Sequence, residues 1–88
     1  MGGVSQDYPE AVFWFGQAAR SGVPEAMGML AKCYFLGLGV EENIEKNKYY
    51  LVEAIKRGDK ASIRLLSELM RDGGEPDYIS DILKMLNE

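Results

Sequence analysis

The chain has 88 residues, of which 47% are apolar, so it has the size of one small domain and enough apolar side chains for a core. Its 10 basic and 14 acidic residues give a net charge of -4, which argues against nucleic-acid binding, because such surfaces are basic. The absence of histidine removes the commonest general base and metal ligand, and the single cysteine, Cys33, excludes an internal disulfide.

No apolar run approaches the ~20 residues that a membrane-spanning helix needs, and the first six residues lack the regions of a signal peptide. We therefore expect no membrane insertion and a cytoplasmic location. The start of the chain nearly matches an N-myristoylation signal, but Gln6 stands where Ser or Thr is required, so we interpret the match as chance. Met1-Gly2-Gly3 is equally consistent with a cloning remnant, in which case the chain is a piece of a longer protein.

The first half of the chain predicts two helices. One runs from Tyr8 to Arg20, begins at the N-cap Asp7 and ends at Gly22, a residue suited to the left-handed conformation after a helix. The next runs from Pro24 to Leu36. Its buried side is predicted from apolar residues at helical spacing, namely Ala26, Leu30, Cys33 and Tyr34.

The second half predicts three more helices. They cover about 43–58, 59–72 and 75–88, and glycines separate them from their neighbours. The fourth and fifth helices are expected to bury Ala61, Leu65, Leu66 and Leu69, and Ile79, Ile82, Leu83 and Leu86, respectively. Because the connections are short, neighbouring helices should be antiparallel. The predicted fold is all-α, an α/α solenoid of about five helices.

An internal repeat supports a solenoid. Residues 10–22 recur as residues 46–58, an offset of 36. Downstream, Ala26, Leu30 and Tyr34 match Ala61, Leu65 and Leu69 at an offset of 35. The sequence thus predicts that one residue drops out of the turn after Gly58.

Residues 26–58 resemble the Sel-one-like repeat, a relative of the tetratricopeptide repeat. The resemblance rests on the segments Ala26-x-x-x-Leu30-Ala31-x-x-Tyr34, Gly37-x-Gly39-Val40, Lys46-Asn47 and Tyr50-Leu51-x-Glu53-Ala54-Ile55-x-x-Gly58. It implies one domain over 1–88, divided into a repeat half (7–22), a full repeat (24–58) and a diverged repeat (60–88). It also implies a protein-binding scaffold whose concave groove is lined by the first helix of each pair. Asn47 departs from the alanine of the family pattern.

Several residues invite a chemical interpretation that the pattern does not favour. The aromatic pairs Phe13-Trp14 and Tyr49-Tyr50 recur at the repeat period, so we expect them to pack between helices, with Phe13 and Tyr49 partly exposed. Cys33 has no histidine to activate it and is expected to be a small core residue. We therefore predict no enzyme activity, no cofactor and no metal site.

A partner-binding groove is predicted on the second and fourth helices, where apolar and basic residues stand on sides expected to face solvent. Its seven residues are Met29, Lys32, Leu36, Ile63, Arg64, Ser67 and Arg71. An equally consistent explanation is that a neighbouring repeat or a second copy covers them.

Two functions fit these observations. The first is a protein-protein interaction scaffold that binds a partner protein or peptide through this groove. The alternative is a small acidic inhibitor, like an immunity protein or antitoxin, that blocks a basic partner surface with Glu10, Glu41 and Glu42. Because two repeats are fewer than solenoids usually need, we also expect marginal stability or a homo-oligomer.

Overall fold

A computed structural model describes residues 7–88 of the chain. The helices in that range are α1 (Tyr8–Arg20), α2 (Pro24–Leu36), α3 (Ile44–Lys56), α4 (Lys60–Asp72) and α5 (Pro76–Leu86). No strand occurs among the residues described, so the predicted all-α repeat fold is confirmed. None of these helices is long and apolar enough to cross a membrane.

The helix ends follow local signals in the sequence. Asp7, Asn43 and Asp59 each accept a hydrogen bond from the backbone N–H three residues further on, at 3.0–3.1 Å. At their C-termini, α2 and α4 end at Gly37 and Gly73, with φ of +71° and +77°. These caps hold helices α1, α3 and α4 at their starts and α2 and α4 at their ends.

The spacing of the helices corrects the predicted repeat register. Both ends of α3 lie 36 residues after those of α1, and both ends of α4 lie 36 residues after those of α2. The offset of 35 predicted after Gly58 is therefore wrong. Ser62, not Ala61, occupies the place of Ala26, and both Ser62 and Ala26 are buried.

The buried side of α4 is accordingly rotated from the predicted one. Leu66 is buried and Leu69 half-buried as expected, but Ala61 is exposed and the side chain of Leu65 is 44% exposed. Ser62 is stable inside because its hydroxyl donates a hydrogen bond to Asp59 Oδ2 at 2.6 Å.

The core consists of two clusters on either side of the α2–α3 pair. One cluster joins α1, α2 and α3, and its buried members are Ala19, Ala26, Met27, Leu30 and Ala54. The other joins α2, α3, α4 and α5, and its buried members are Ala31, Leu51, Val52, Leu66 and Ile82.

Polar contacts attach α5 to this core. Asn47 is buried, donates from Nδ2–H to the Ala31 carbonyl oxygen at 2.8 Å, and accepts a hydrogen bond from the Tyr78 hydroxyl. Beside it, Lys48 Nζ lies 2.6 Å from Asp81 Oδ2. The departure of Asn47 from the expected alanine thus has a structural reason, because its amide joins α2, α3 and α5.

The loop between α2 and α3 is longer than the loop between α4 and α5. Residues 37–43 connect α2 to α3, whereas residues 73–75 connect α4 to α5. In the longer loop, a β-carbon on Gly39 would stand 2.5 Å from the Tyr8 carbonyl carbon, so the loop lies directly on the start of α1. Glu75 stands 36 residues after Gly39 but directly precedes α5, so the shorter loop lacks a counterpart of residues 40–43.

Candidate functional site

All seven residues of the predicted groove are exposed. On α2, Met29, Lys32 and Leu36 are three or four positions apart and therefore share one side of the helix. The side chains of Met29 and Leu36 are 42% and 54% exposed, which is high for apolar residues of a structured helix. This side of α2 carries an apolar surface with one lysine in it.

The four α4 residues lie on a different side of their helix. At the observed offset of 36, the counterparts of Met29, Lys32 and Leu36 are Leu65, Glu68 and Asp72. A slip of one residue turns a helix face by about 100°. Ile63, Arg64, Ser67 and Arg71 share a side of α4 with one another, but they are not the repeat equivalents of the α2 residues.

Gly28 lies on the side of α2 that corresponds to the Arg64 side of α4. A β-carbon on Gly28 would stand 2.7 Å from Asp59 Oδ2 and 2.9 Å from Ser62 Oγ, so this side of α2 receives the start of α4. The residue at the equivalent position of α4 is Arg64, which is exposed. An arginine at that position prevents the close helix approach that Gly28 permits.

Leu65 is the surface residue that the sequence prediction missed. It occupies the α4 position equivalent to Met29 and is 44% exposed. The predicted offset of 35 wrongly places Leu65 in the core. Gly37 and Gly73, which end α2 and α4, are 36 residues apart, so their spacing in the sequence indicates the correct offset. Met29, Leu36 and Leu65 together are called the α2–α4 apolar surface below.

The aromatic residues of α1 and α3 differ in their exposure and in the rings that they contact. The rings of Tyr34 and Tyr50 stack with centroids 5.9 Å apart, as expected for packing between α2 and α3. Phe13 and Tyr49 are about half exposed, also as expected. Trp14, however, is 59% exposed and has its ring contact with Phe13, because no helix precedes α1 among the residues described.

Reactive groups in the described range are few. Cys33 is buried, as predicted, and burial raises the pKa of its thiol, which disfavours the nucleophilic thiolate. Residues 7–88 contain no group of three side chains that could hold a metal ion.

Comparison with known proteins agrees with this architecture. The family model of the Sel1 repeat matches residues 1–23 and 24–59. No curated protein and no solved structure matches the chain. The first match begins at residue 1, and Met1-Gly2-Gly3 lie outside the residues that the structure describes. Sel1 repeats are generally non-catalytic protein-protein interaction modules. Because the two matches cover more than half of its length, the chain belongs to the Sel1 repeat family.

Proposed function

We propose that this chain binds a partner protein or peptide through the α2–α4 apolar surface. The observation that carries the proposal is the exposure of Met29 and Leu36 on one side of α2, with Leu65 at the equivalent position of α4. Exposed apolar side chains grouped on adjacent elements are typical of interaction sites. An amphipathic helix of the partner fits such a surface, with apolar residues three or four positions apart.

The charged residues around this surface define the partner further. Lys32 stands between Met29 and Leu36, and Arg64 and Arg71 stand with Ile63 and Ser67 on the adjoining side of α4. Arg71 Nε lies 3.3 Å from Asp72 Oδ1, but both side chains are mostly exposed, so this pair is weak and leaves Arg71 available. We propose that these cations contact acidic residues at one edge of the partner helix.

In this account, residues 60–88 act as a diverged repeat. Its first helix keeps the spacing and the terminal glycine of α2, while its loop is shortened to residues 73–75.

The proposal is tested by affinity capture from lysate of the source organism, with partners identified by mass spectrometry. The double variant Met29→Ser/Leu36→Ser should lose a partner that the unchanged chain retains. Phe13→Ser is the matched control, because Phe13 and Leu36 are 55% and 54% exposed but lie on different helices. A partner retained by the double variant and lost by Phe13→Ser would place binding on α1 and contradict the proposal.

A further inference from the structure

A pocket of about 350 Å³ opens between α1 and α3, and α2 forms its floor. Gly16, Ala19 and Arg20 line it from α1, Leu30 from α2, and Tyr50 and Arg57 from α3. Leu30 and Met29 are adjacent in sequence and therefore point about 100° apart around α2. The pocket is thus separate from the α2–α4 apolar surface.

The pocket exists because α1 and α3 do not pack on each other. No Cα atom of α1 lies within 8 Å of one in α3, whereas α3 and α5 do approach that closely. The contacts that join α3 to α5 start from Asn47 and Lys48. The residues of α1 at those positions are Ala11 and Val12, which cannot make such hydrogen bonds.

The internal repeat shows which side-chain volume is missing. At the offset of 36, Gly16 corresponds to Val52 and Ala19 to Ile55. Val52 is 2% exposed and belongs to the cluster that joins α3 to α5. A β-carbon on Gly16 would meet no atom within 4 Å. The space above Gly16 is therefore the place that an aliphatic side chain fills in the other repeat.

The rim of the pocket carries one uncompensated positive charge. Arg57 Nη1 lies 2.5 Å from Glu53 Oε1, so this pair is neutral. Arg20 makes no ion pair within residues 7–88. Burial raises the pKa of Tyr50, so its hydroxyl is a hydrogen-bond donor at neutral pH. An anion beside Arg20 would meet a guanidinium and a phenolic donor in a chain whose net charge is -4.

We propose that the α1–α3 pocket binds the C-terminal residue of a partner peptide, when that residue is aliphatic. The aliphatic side chain fills the space above Gly16, and the α-carboxylate contacts Arg20. The pocket volume of about 350 Å³ lies at the small end of the ~300–1,000 Å³ range of ligand pockets, so the occupant must be small. A C-terminal aliphatic residue combines both required groups within that size.

The probe for this site is N-acetyl-L-leucine, titrated into the full chain labelled with ¹⁵N and followed by NMR. We expect a dissociation constant of a few millimolar, which is usual for about a dozen heavy atoms. The largest shifts should occur at the amides around Gly16 and Tyr50. N-acetyl-L-leucinamide, which has no carboxylate, and N-acetylglycine, which has no side chain, should each bind about tenfold more weakly.

Two variants and one control locate the site. Gly16→Val copies Val52 and should abolish the shifts, while Gln17→Val adds the same side chain at an exposed neighbouring position and should leave them unchanged. Arg20→Gln should reduce the affinity for N-acetyl-L-leucine to that for the amide. Circular dichroism verifies that each variant is folded. If Gly16→Val does not fold, the Arg20→Gln titration alone tests the proposal. Absence of shifts up to about 50 mM N-acetyl-L-leucine, roughly ten times the expected dissociation constant, would overturn the proposal. Shifts that persist in a folded Gly16→Val chain, or an affinity that Arg20→Gln does not change, would also overturn it.

Discussion

Tyr78 donates a hydrogen bond from its hydroxyl to Asn47 Oδ1, and Asn47 in turn donates from Nδ2–H to the Ala31 carbonyl oxygen at 2.8 Å. Three helices are therefore joined through one buried amide. Because Asn47 is only 4% exposed, water cannot replace a lost partner easily. This link gives α5, whose loop to α4 is short, a fixed position against α3.

Removal of the Tyr78 hydroxyl should therefore destabilise the chain. We expect Tyr78→Phe to lower the free energy of unfolding by about 1–2 kcal/mol, because Asn47 Oδ1 is then buried without a donor. Urea denaturation measures the change. In combination with Asn47→Ala, Tyr78→Phe should cost clearly less than it does alone, since the shared hydrogen bond is already gone. Strictly additive effects would show that the two residues act independently.

Gly28 and Gly16 provide a matched pair of substitutions within helices. Gly28→Ala should destabilise the chain by about 1–3 kcal/mol, because its β-carbon would collide with Asp59 and Ser62, which cap α4. Gly16→Ala should instead stabilise it by about 0.5–1 kcal/mol, since the β-carbon meets open space and alanine favours helix. Thermal melting of both variants checks this. Equal effects of the same sign would contradict the close approach of α2 and α4.

The helices and their ends were predictable because their signals are local. Asp7, Asn43 and the glycines after α1 and α2 act within one turn of the chain, and the sequence shows them directly. The register of α4 was mispredicted for a different reason. Apolar Leu65 looked like a core residue and polar Ser62 did not, although Asp59 satisfies the Ser62 hydroxyl inside the protein.

The candidate sites depended on longer-range features. Exposure of Met29 and Leu36 followed from helical spacing, but the equivalence of Met29 with Leu65 required the corrected offset. The pocket beside Gly16 could not be predicted, because it depends on the separation of α1 from α3. In the sequence, the pocket is indicated only by the glycine at position 16, where the repeat has Val52 at an offset of 36.

The ion pair of Lys48 and Asp81 predicts a pH dependence of stability. Its hydrogen bond and charge lower the pKa of Asp81 and raise the pKa of Lys48. The Asp81 contribution is complete above the unfolded-state pKa of about 3.9 and is lost as the pH falls through the folded-state value. The Lys48 contribution is complete below about 10.4 and is lost as the pH rises through its folded-state value.

Asp81→Asn should therefore destabilise the chain more at pH 7 than at an acid pH below the unfolded-state pKa of about 3.9, because Asp81 of the unchanged chain becomes protonated as the pH falls further. Urea denaturation at both pH values measures the difference. Glu45→Gln is the control, because Glu45 is 86% exposed and its carboxylate lies 3.6 Å from Lys48 Nζ, so its effect should be smaller. An equal loss at both pH values would rule out the ion pair as the cause.

Cys33 should be protected from alkylation in the folded chain. The side chain is 3% exposed, and burial raises its thiol pKa, so both access and thiolate formation are disfavoured. Iodoacetamide should modify it slowly in buffer and rapidly in urea, as followed by mass spectrometry. Rapid modification in buffer would indicate that α2 opens or that Cys33 lies at the surface.

The methionine methyl groups test the proposed binding surface most directly. Met29 lies on the α2–α4 apolar surface, whereas Met27, two residues away on the same helix, is 6% exposed and lines the α1–α3 pocket. With ¹³C-methyl-methionine labelling, addition of the captured partner should shift the Met29 resonance strongly and leave that of Met27 nearly unchanged. A strong shift of Met27 with an unchanged Met29 would contradict binding through the α2–α4 apolar surface.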